Sequence, residues 1–279
     1  MLLNCSQPAT GNSRRLVRWS VALFVVGLLV ASWFGRVPGN ALVSWIVAFV
    51  PIIGLMAAVE LMANADCKLS KSYRWRVRRA QVDSALLLRG VWPILLSVLV
   101  GSAAFLTLCH TRHSAGITMA VLRLAAGVAL LYALAGFIFE VCGLCFLVAG
   151  YSLPPMHRAP ITARSVGEFW GQSWNMIVSA WLRTFVFWPL ARRRLAGVGV
   201  LCCFLVSGAF HGWPMLAALG TVAALSTLVF FVIQGVVVLA ENRLSIHTWP
   251  VAIARAWTLV ILLASSPLYI DPGLRLFGL

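Results

Sequence analysis

Long apolar runs alternate along the chain with short segments that carry most of the lysine and arginine. The runs cover roughly residues 19–34, 41–62, 91–109, 117–151, 195–213, 217–240 and 250–270. A helix needs about 20 apolar residues to cross the hydrocarbon of a bilayer. The pattern therefore predicts about seven crossings, with the first run short and the fourth too long for a perpendicular span. The excess length of 117–151 implies tilt, a bend or a part lying within the protein. No internal repeat and no low-complexity linker interrupts the pattern. The expected fold class is all-α: a polytopic transmembrane protein with one integral membrane domain over residues 1–279.

One segment departs from the pattern. Residues 166–190 are apolar enough to enter a membrane, yet Glu168, Gln172, Asn175, Ser179 and Arg183 recur at spacings of four, three, four and four. In a helix that spacing puts them on one face. Trp170, Trp174, Trp181 and Trp188 fill much of the remaining surface. Charged side chains are too costly to face lipid, so the polar stripe must face water, a headgroup layer or an internal cavity. A crossing here would also carry Arg192, Arg193 and Arg194 to the far side. The segment is expected to be a re-entrant or interfacial helix.

Charge sets the orientation. With the N-terminus in the cytoplasm and one crossing per run, the cytoplasmic side holds Arg14, Arg15 and Arg18, seven basic residues in 63–90, six in 152–194, and Arg243; the other side holds Arg36, Arg112 and Arg275. Seventeen against three is the bias that the positive-inside rule describes. No convincing cleavage site follows the N-terminal arginines, so the run 19–34 reads as a first transmembrane helix, not a signal peptide. Composition agrees with a membrane protein. Charged residues make up 10% of the chain and hydrophobic ones 61%, whereas a soluble domain carries about 25% charged residues. The net charge of +15 does not point to nucleic acid, because the basic residues sit between apolar runs and no nucleic-acid module is visible. The cluster Arg74, Arg76, Arg78 and Arg79 with Trp75 reads as a basic segment on anionic lipid.

Other polar residues have plain readings. Cys142 and Cys145 form a C-x-x-C inside an apolar stretch and read as packed helix cysteines. Cys109, His110 and His113 gather at a helix end, but no second cluster or carboxylate joins them, so no metal site is expected. Glu140, inside the fourth run, is expected to pair with an intramembrane arginine such as Arg123 or Arg255. Glu241 and Arg243 are expected to be solvated or paired at a helix end. His211 differs. It lies near the end of the run 195–213, just before Gly212 and Pro214, where a histidine is expensive without a polar partner or a task. Ser207 lies one turn before it on the same face, and Gly208 permits close approach of a backbone or a ligand.

Taken together, the segment Glu168-Phe169-Trp170-Gly171-x-x-Trp174-Asn175 and the later Ser207-Gly208-x-x-His211 resemble the wax synthase-like branch of the membrane-bound O-acyltransferases. The resemblance includes Pro154-Pro155 before the motif, Arg183 after it and the pair Phe230-Phe231 in the next helix, and spans about residues 150–245. Gln172 and Ser173 stand where the family has two arginines, and Gly212 stands where plant members often have an acidic residue.

The resemblance implies an MBOAT-like helical membrane fold and transfer of an acyl group from acyl-coenzyme A, as co-substrate, to the hydroxyl of a lipophilic or small alcohol. It implies His211 as general base and Asn175 as its polar companion, with Trp170, Trp174, Gln172, Ser207, Arg183, Arg192 and Arg193 lining the substrates; no metal and no cofactor is implied. A hydroxyl attacks only once its proton is taken, and a neutral imidazole, with an unperturbed pKa of about 6.5, suits that task. Asn175 can hold an oxygen by a hydrogen bond without adding charge to an apolar site. Arginines bind phosphate well, which suits Arg183 and the triplet 192–194 for the donor head, although the triplet also reads as a topology anchor. The competing reading is a non-catalytic transporter or scaffold. A transporter is expected to show paired broken helices or repeated halves, and the sequence shows neither. A membrane hydrolase would need an activated nucleophile, and no Ser-His-Asp set is present.

Overall fold

The computed structural model describes residues 27, 30, 37, 39–64, 78–79, 84–152 and 155–279. Most of the run 19–34, the arginines Arg14, Arg15 and Arg18, the basic residues Lys68, Lys71, Arg74 and Arg76, and Pro154 lie outside it. Among the described residues the main α-helices are α1 (Ala41–Asn64), α2 (Ser84–Thr111), α3 (Ile117–Val148), the short α4 (Met176–Leu182), α5 (Ala196–Leu219), α6 (Thr221–Leu244), α7 (Val251–Ser265) and the short α8 (Pro267–Arg275). Two-residue strands at Arg78–Arg79 and Tyr151–Ser152 pair antiparallel.

Four helices among the described residues are long and apolar enough to cross a membrane: Ala85–Thr111, Ile117–Val148, Ala196–Leu219 and Thr221–Leu244. The pair α7 and α8 makes a fifth if it is one span. This is fewer than the seven crossings the apolar runs predict. Within α1, Ala41–Met56 is a shorter apolar helix among the described residues. The run 250–270 is bent by 46° between α7 and α8, because Pro267 opens α8 and has no N–H to continue the α7 ladder. The run 117–151 is one unbroken helix of 32 residues, about 48 Å long at 1.5 Å per residue.

The outer faces of α2, α3, α6 and α7 expose large apolar side chains such as Leu99, Val121, Val222 and Val260, as a lipid-facing surface requires. Between helices in lipid, apolar burial gives little by itself, and close packing has to hold the bundle. One seam joins α2, α3 and α8 through Ala104, Leu108, Ala126, Leu130, Ile270 and Leu274. A second is the hairpin of α5 and α6, turned through the single residue Gly220 at φ +89. Along this hairpin Gly208 and Gly212 form a small-x-x-x-small pair. A Cβ on Gly208 would come within 2.7 Å of Leu228 and 3.2 Å of Phe231, and one on Gly212 within 3.2 Å of the Ala224 carbonyl. Those two glycines flank His211 and set how closely α6 approaches it. α5 continues through Pro214 to Leu219, so His211 lies inside a helix, two turns from its end, and not at the end that the apolar run suggested.

Candidate functional site

The segment 165–191 is helical but not one helix. Ser165 caps its start, its hydroxyl accepting from the Glu168 N–H at 2.9 Å, while Glu168 accepts from the Arg164 N–H at 2.9 Å. Glu241, only 5% exposed, crosses from α6 and accepts from the N–H groups of Val166 and Gly167 at 2.7 and 3.0 Å and from the Trp257 indole at 3.0 Å. A carboxylate at a helix start satisfies donors that have no partner within the helix. Glu241 is therefore nearly buried and bonded to N–H groups, and among the described residues no cation pairs with it. Phe169–Ser173 then winds as a π-helical turn, Trp174 is extended, and Asn175 is left-handed at φ +41 before α4 begins. A second π-helical turn, Arg183–Phe187, follows α4. Each π turn adds a residue to the helical repeat, so the single polar face expected from the spacing does not form. Segment 176–191 is also shorter than a span.

The break at Asn175 is held by the preceding loop. The Arg158 N–H donates to the Ser173 carbonyl at 2.9 Å and the Met176 N–H to the Met156 carbonyl at 2.9 Å. Between these bonds, the Asn175 N–H donates to Nδ1 of His157 at 3.2 Å. The His157 ring lies 4.4 Å from Trp174, 5.4 Å from Phe139 and 6.2 Å from Tyr132, between ring centroids. Burial lowers its pKa below the ordinary histidine value. The Asn175 side-chain oxygen accepts from the Val178 N–H at 3.3 Å, and among the described residues the amide NH₂ makes no hydrogen bond.

The other residues singled out by the sequence fall into three places. Ser179 and Arg183 converge: the hydroxyl and one guanidinium nitrogen both donate to the Gly171 carbonyl, at 2.9 and 2.7 Å. Gln172 and Glu168 line a polar cleft of about 430 Å³ with Ser165, Glu241, Asn242 and His247. Arg192, Arg193 and Arg194 are exposed. Trp170 points into the bundle, where its indole N–H donates to the Gln234 side-chain oxygen at 3.2 Å and the Gln234 NH₂ donates to the Ser265 hydroxyl at 2.8 Å. Trp174 stacks on Phe169 at 5.8 Å and against Tyr132 at 5.6 Å.

His211 stands in an aromatic enclosure formed by Phe231 at 4.8 Å, Tyr269 at 5.8 Å and Phe49 at 6.4 Å. Its Nδ1 bonds the Ser207 carbonyl at 2.9 Å. A carbonyl only accepts, so Nδ1 carries the proton, and in the neutral ring Nε2 holds the lone pair. Ser207, placed by the sequence one turn before the histidine on the same face, serves it through its backbone carbonyl. Among the described residues no hydrogen bond or ring contact joins Asn175 to His211. The link between their surroundings runs through rings, from Trp170 to Phe231 at 5.7 Å and from Phe231 to His211.

Two expected pairings do not form. Glu140 is exposed on α3; Arg123 instead donates to the Arg112 carbonyl at 3.0 Å and Arg255 to the Thr162 carbonyl at 3.2 Å. Among the described residues no three His, Cys, Asp or Glu side chains gather in a metal-binding arrangement. His157, Gln234, Glu241 and Tyr269 were not legible as site residues. Each meets the motif from another element, and their only mark in the sequence is a polar or aromatic group in or beside an apolar run.

A helical membrane bundle with a broken, tryptophan-rich segment packed beside a partly buried histidine in an aromatic enclosure is the class that these observations define. Residues 153–233 match the model of the membrane bound O-acyl transferase family. The chain resembles the wax synthase-like branch of that family. It is 30% identical over 127 residues to probable long-chain-alcohol O-fatty-acyltransferase 7 of Arabidopsis thaliana, covering 41% of this chain and 38% of that protein. It is 31% identical over 150 residues to the probable long-chain-alcohol O-fatty-acyltransferase 3 of the same plant, covering 48% and 44%. With the probable long-chain-alcohol O-fatty-acyltransferase 9 it shares 28% over 148 residues, covering 46% and 43%. The matched part thus spans less than half the length of these relatives. The family match includes His157, Asn175 and His211 and ends one residue before Gln234.

Proposed function

We propose that this chain transfers a fatty acyl group from acyl-coenzyme A to the hydroxyl of an alcohol, with His211 as general base. The observation that carries the reading is the bond from His211 Nδ1 to the Ser207 carbonyl, which leaves Nε2 as the basic nitrogen inside an aromatic enclosure. In the step, Nε2 takes the alcohol proton as the alcohol oxygen attacks the thioester carbonyl carbon. The new C–O bond forms, the C–S bond breaks, and the proton passes to the departing thiolate. A positioned base of this kind is worth about 10²–10⁴-fold in rate. The free NH₂ of Asn175 donates to the thioester carbonyl or to the alcohol oxygen and adds no charge to an apolar site. Arg192 and Arg193, exposed beside the motif, supply cations for the phosphates of the donor.

The names of the relatives support a long-chain alcohol as acceptor. The seventeen-to-three charge bias supports a cytoplasmic N-terminus and a cytoplasmic 152–194 segment, the side from which a soluble thioester donor arrives. The deciding experiment compares lipid extracts from cells overexpressing the wild-type chain and His211→Ala. A new ester that appears with the first and not with the second is expected. Equal ester formation by both removes His211 from the reaction.

A further inference from the structure

His157 belongs to no motif named above, yet among the described residues it makes the one side-chain bond between the loop and the break in the segment. The clamp is a short backbone zipper. Met156 accepts from Met176 and Arg158 donates to Ser173, each at 2.9 Å, and His157 fills the space between them by accepting the Asn175 N–H at 3.2 Å. Asn175 sits at φ +41, ψ +65, a conformation that L residues other than glycine and asparagine rarely hold. The bonds on either side of Asn175 fix its neighbours; the His157 bond holds the Asn175 N–H, while the Asn175 side-chain oxygen and carbonyl accept from the Val178 and Ser179 N–H groups at 3.3 and 3.0 Å.

The ring is there for its acceptor nitrogen. An N–H donor faces Nδ1, so Nδ1 is unprotonated and the neutral ring carries its proton on Nε2. That Nε2 is buried and has no partner among the described residues. The walls of its site are Trp174, Phe139 and Tyr132. A leucine or phenylalanine would fill such a site without burying an unpartnered N–H, which carries a desolvation penalty. What neither would supply is an acceptor for the Asn175 N–H.

We propose that His157 is a positioning residue for acyl transfer: its Nδ1 fixes the backbone of Asn175 at the break, and so aims the Asn175 side-chain NH₂ at the reacting oxygen. The proposal rests on the reading of Asn175 and His211 given above. His157 acts through Asn175 and touches no substrate. A small error in the aim of such a group costs rate more than binding.

Three variants separate the acceptor from the ring. Asparagine carries its side-chain oxygen at the place of Nδ1, glutamine carries it one bond farther out, and leucine has none. Two readouts are taken on purified protein in lipid nanodiscs: hydrogen exchange of the segment 173–176, which needs no activity, and steady-state transfer from palmitoyl-coenzyme A to hexadecanol. His157→Leu is expected to speed exchange of this segment and to lower kcat by about 10- to 100-fold, with KM little changed. His157→Asn is expected to restore both, and His157→Gln neither. If His157→Leu yields no folded protein, the contrast between His157→Asn and His157→Gln decides. Overturning results are a His157→Asn protein as impaired as His157→Gln, which would make ring packing the cause, or unchanged exchange and kcat in His157→Gln. Faster exchange with no loss of kcat would overturn the positioning role. Wild-type protein that forms no more ester than His211→Ala would overturn the parent reading and leave the exchange data to judge the clamp alone.

Discussion

The indole N–H of Trp170 donates to the side-chain oxygen of Gln234 at 3.2 Å, tying the broken segment to the middle of α6. Gln234 has no exposed surface and passes the chain on to Ser265 of α7. The bond makes Trp170 a joint between two parts of the bundle, with its ring against Phe204, Phe230 and Phe231.

Gln234→Leu leaves the Trp170 N–H without its partner in a partly buried setting, a loss of about 1 kcal/mol or more. The expected outcome is a lower midpoint of thermal unfolding in detergent, and the same direction for Trp170→Phe, which deletes the donor instead. If the bond is the cause, Trp170→Phe combined with Gln234→Leu will fall less than the sum of the two single changes. Strict additivity would show that the two side chains do not cooperate.

Glu241→Ala strips the acceptor from three N–H groups at once and should cost at least about 2 kcal/mol. Glu241→Gln keeps one oxygen and turns an NH₂ toward a donor, so it should be intermediate. Monodisperse yield after extraction is the measure. Equal yields for all three proteins would contradict a capping role for this carboxylate.

The side-chain NH₂ of Asn175 is open to test by two replacements. Asn175→Gly keeps the left-handed backbone and loses the amide; Asn175→Ala loses the amide and strains the backbone. Both are expected to lower turnover per folded molecule strongly, with the yield of Asn175→Ala falling below that of Asn175→Gly. Normal turnover in Asn175→Gly would reduce Asn175 to a conformational role.

Burial lowers the His157 pKa, and the sign of the consequence is fixed. The unfolded chain binds its proton at about pH 6.5 and the folded chain only below that, so stability is full above that value and is lost as pH falls through the folded pKa. The groups facing the ring are Tyr132 and Phe139 from α3 and Trp174 from the broken segment, with the exposed Arg158 next in the chain. An imidazolium has no acceptor for the Asn175 N–H, so exchange of the segment 173–176 should rise on acidification in the wild type. In His157→Asn the rise should be smaller, beyond the ordinary pH dependence of exchange. Identical profiles would detach this acid sensitivity from His157.

Residues Arg158 and Arg193 are exposed and belong to the segment that the charge bias assigns to the cytoplasm. Cysteines at these positions, in a background without the native ones, should react with an impermeant thiol reagent only from the cytoplasmic face of oriented vesicles. Labelling of both from the opposite face would invert the topology.

The class of the molecule was legible in the sequence because membrane spans are written in runs of apolar residues, and the seam between α5 and α6 was foreshadowed by Gly208, while Gly212 was not read as part of it. The motif positions Trp170, Asn175 and His211 were legible because their residue types recur at fixed spacing in a known family. The number of spans was less so. A run counts composition, whereas a span also needs an unbroken ladder, and Pro267 breaks one.

By itself the sequence determined that the chain is a helical membrane protein, where its charge lies, and which histidine and asparagine to examine. Only the tertiary structure decided what those residues meet. Periodicity along one segment predicts a face, and the π-helical turns and the left-handed Asn175 rotated that face apart. The partners His157, Gln234 and Glu241 stand 18, 64 and 75 residues from the groups they bind. Such pairings follow from how elements pack against one another, because a buried donor takes whichever acceptor the packing brings within reach.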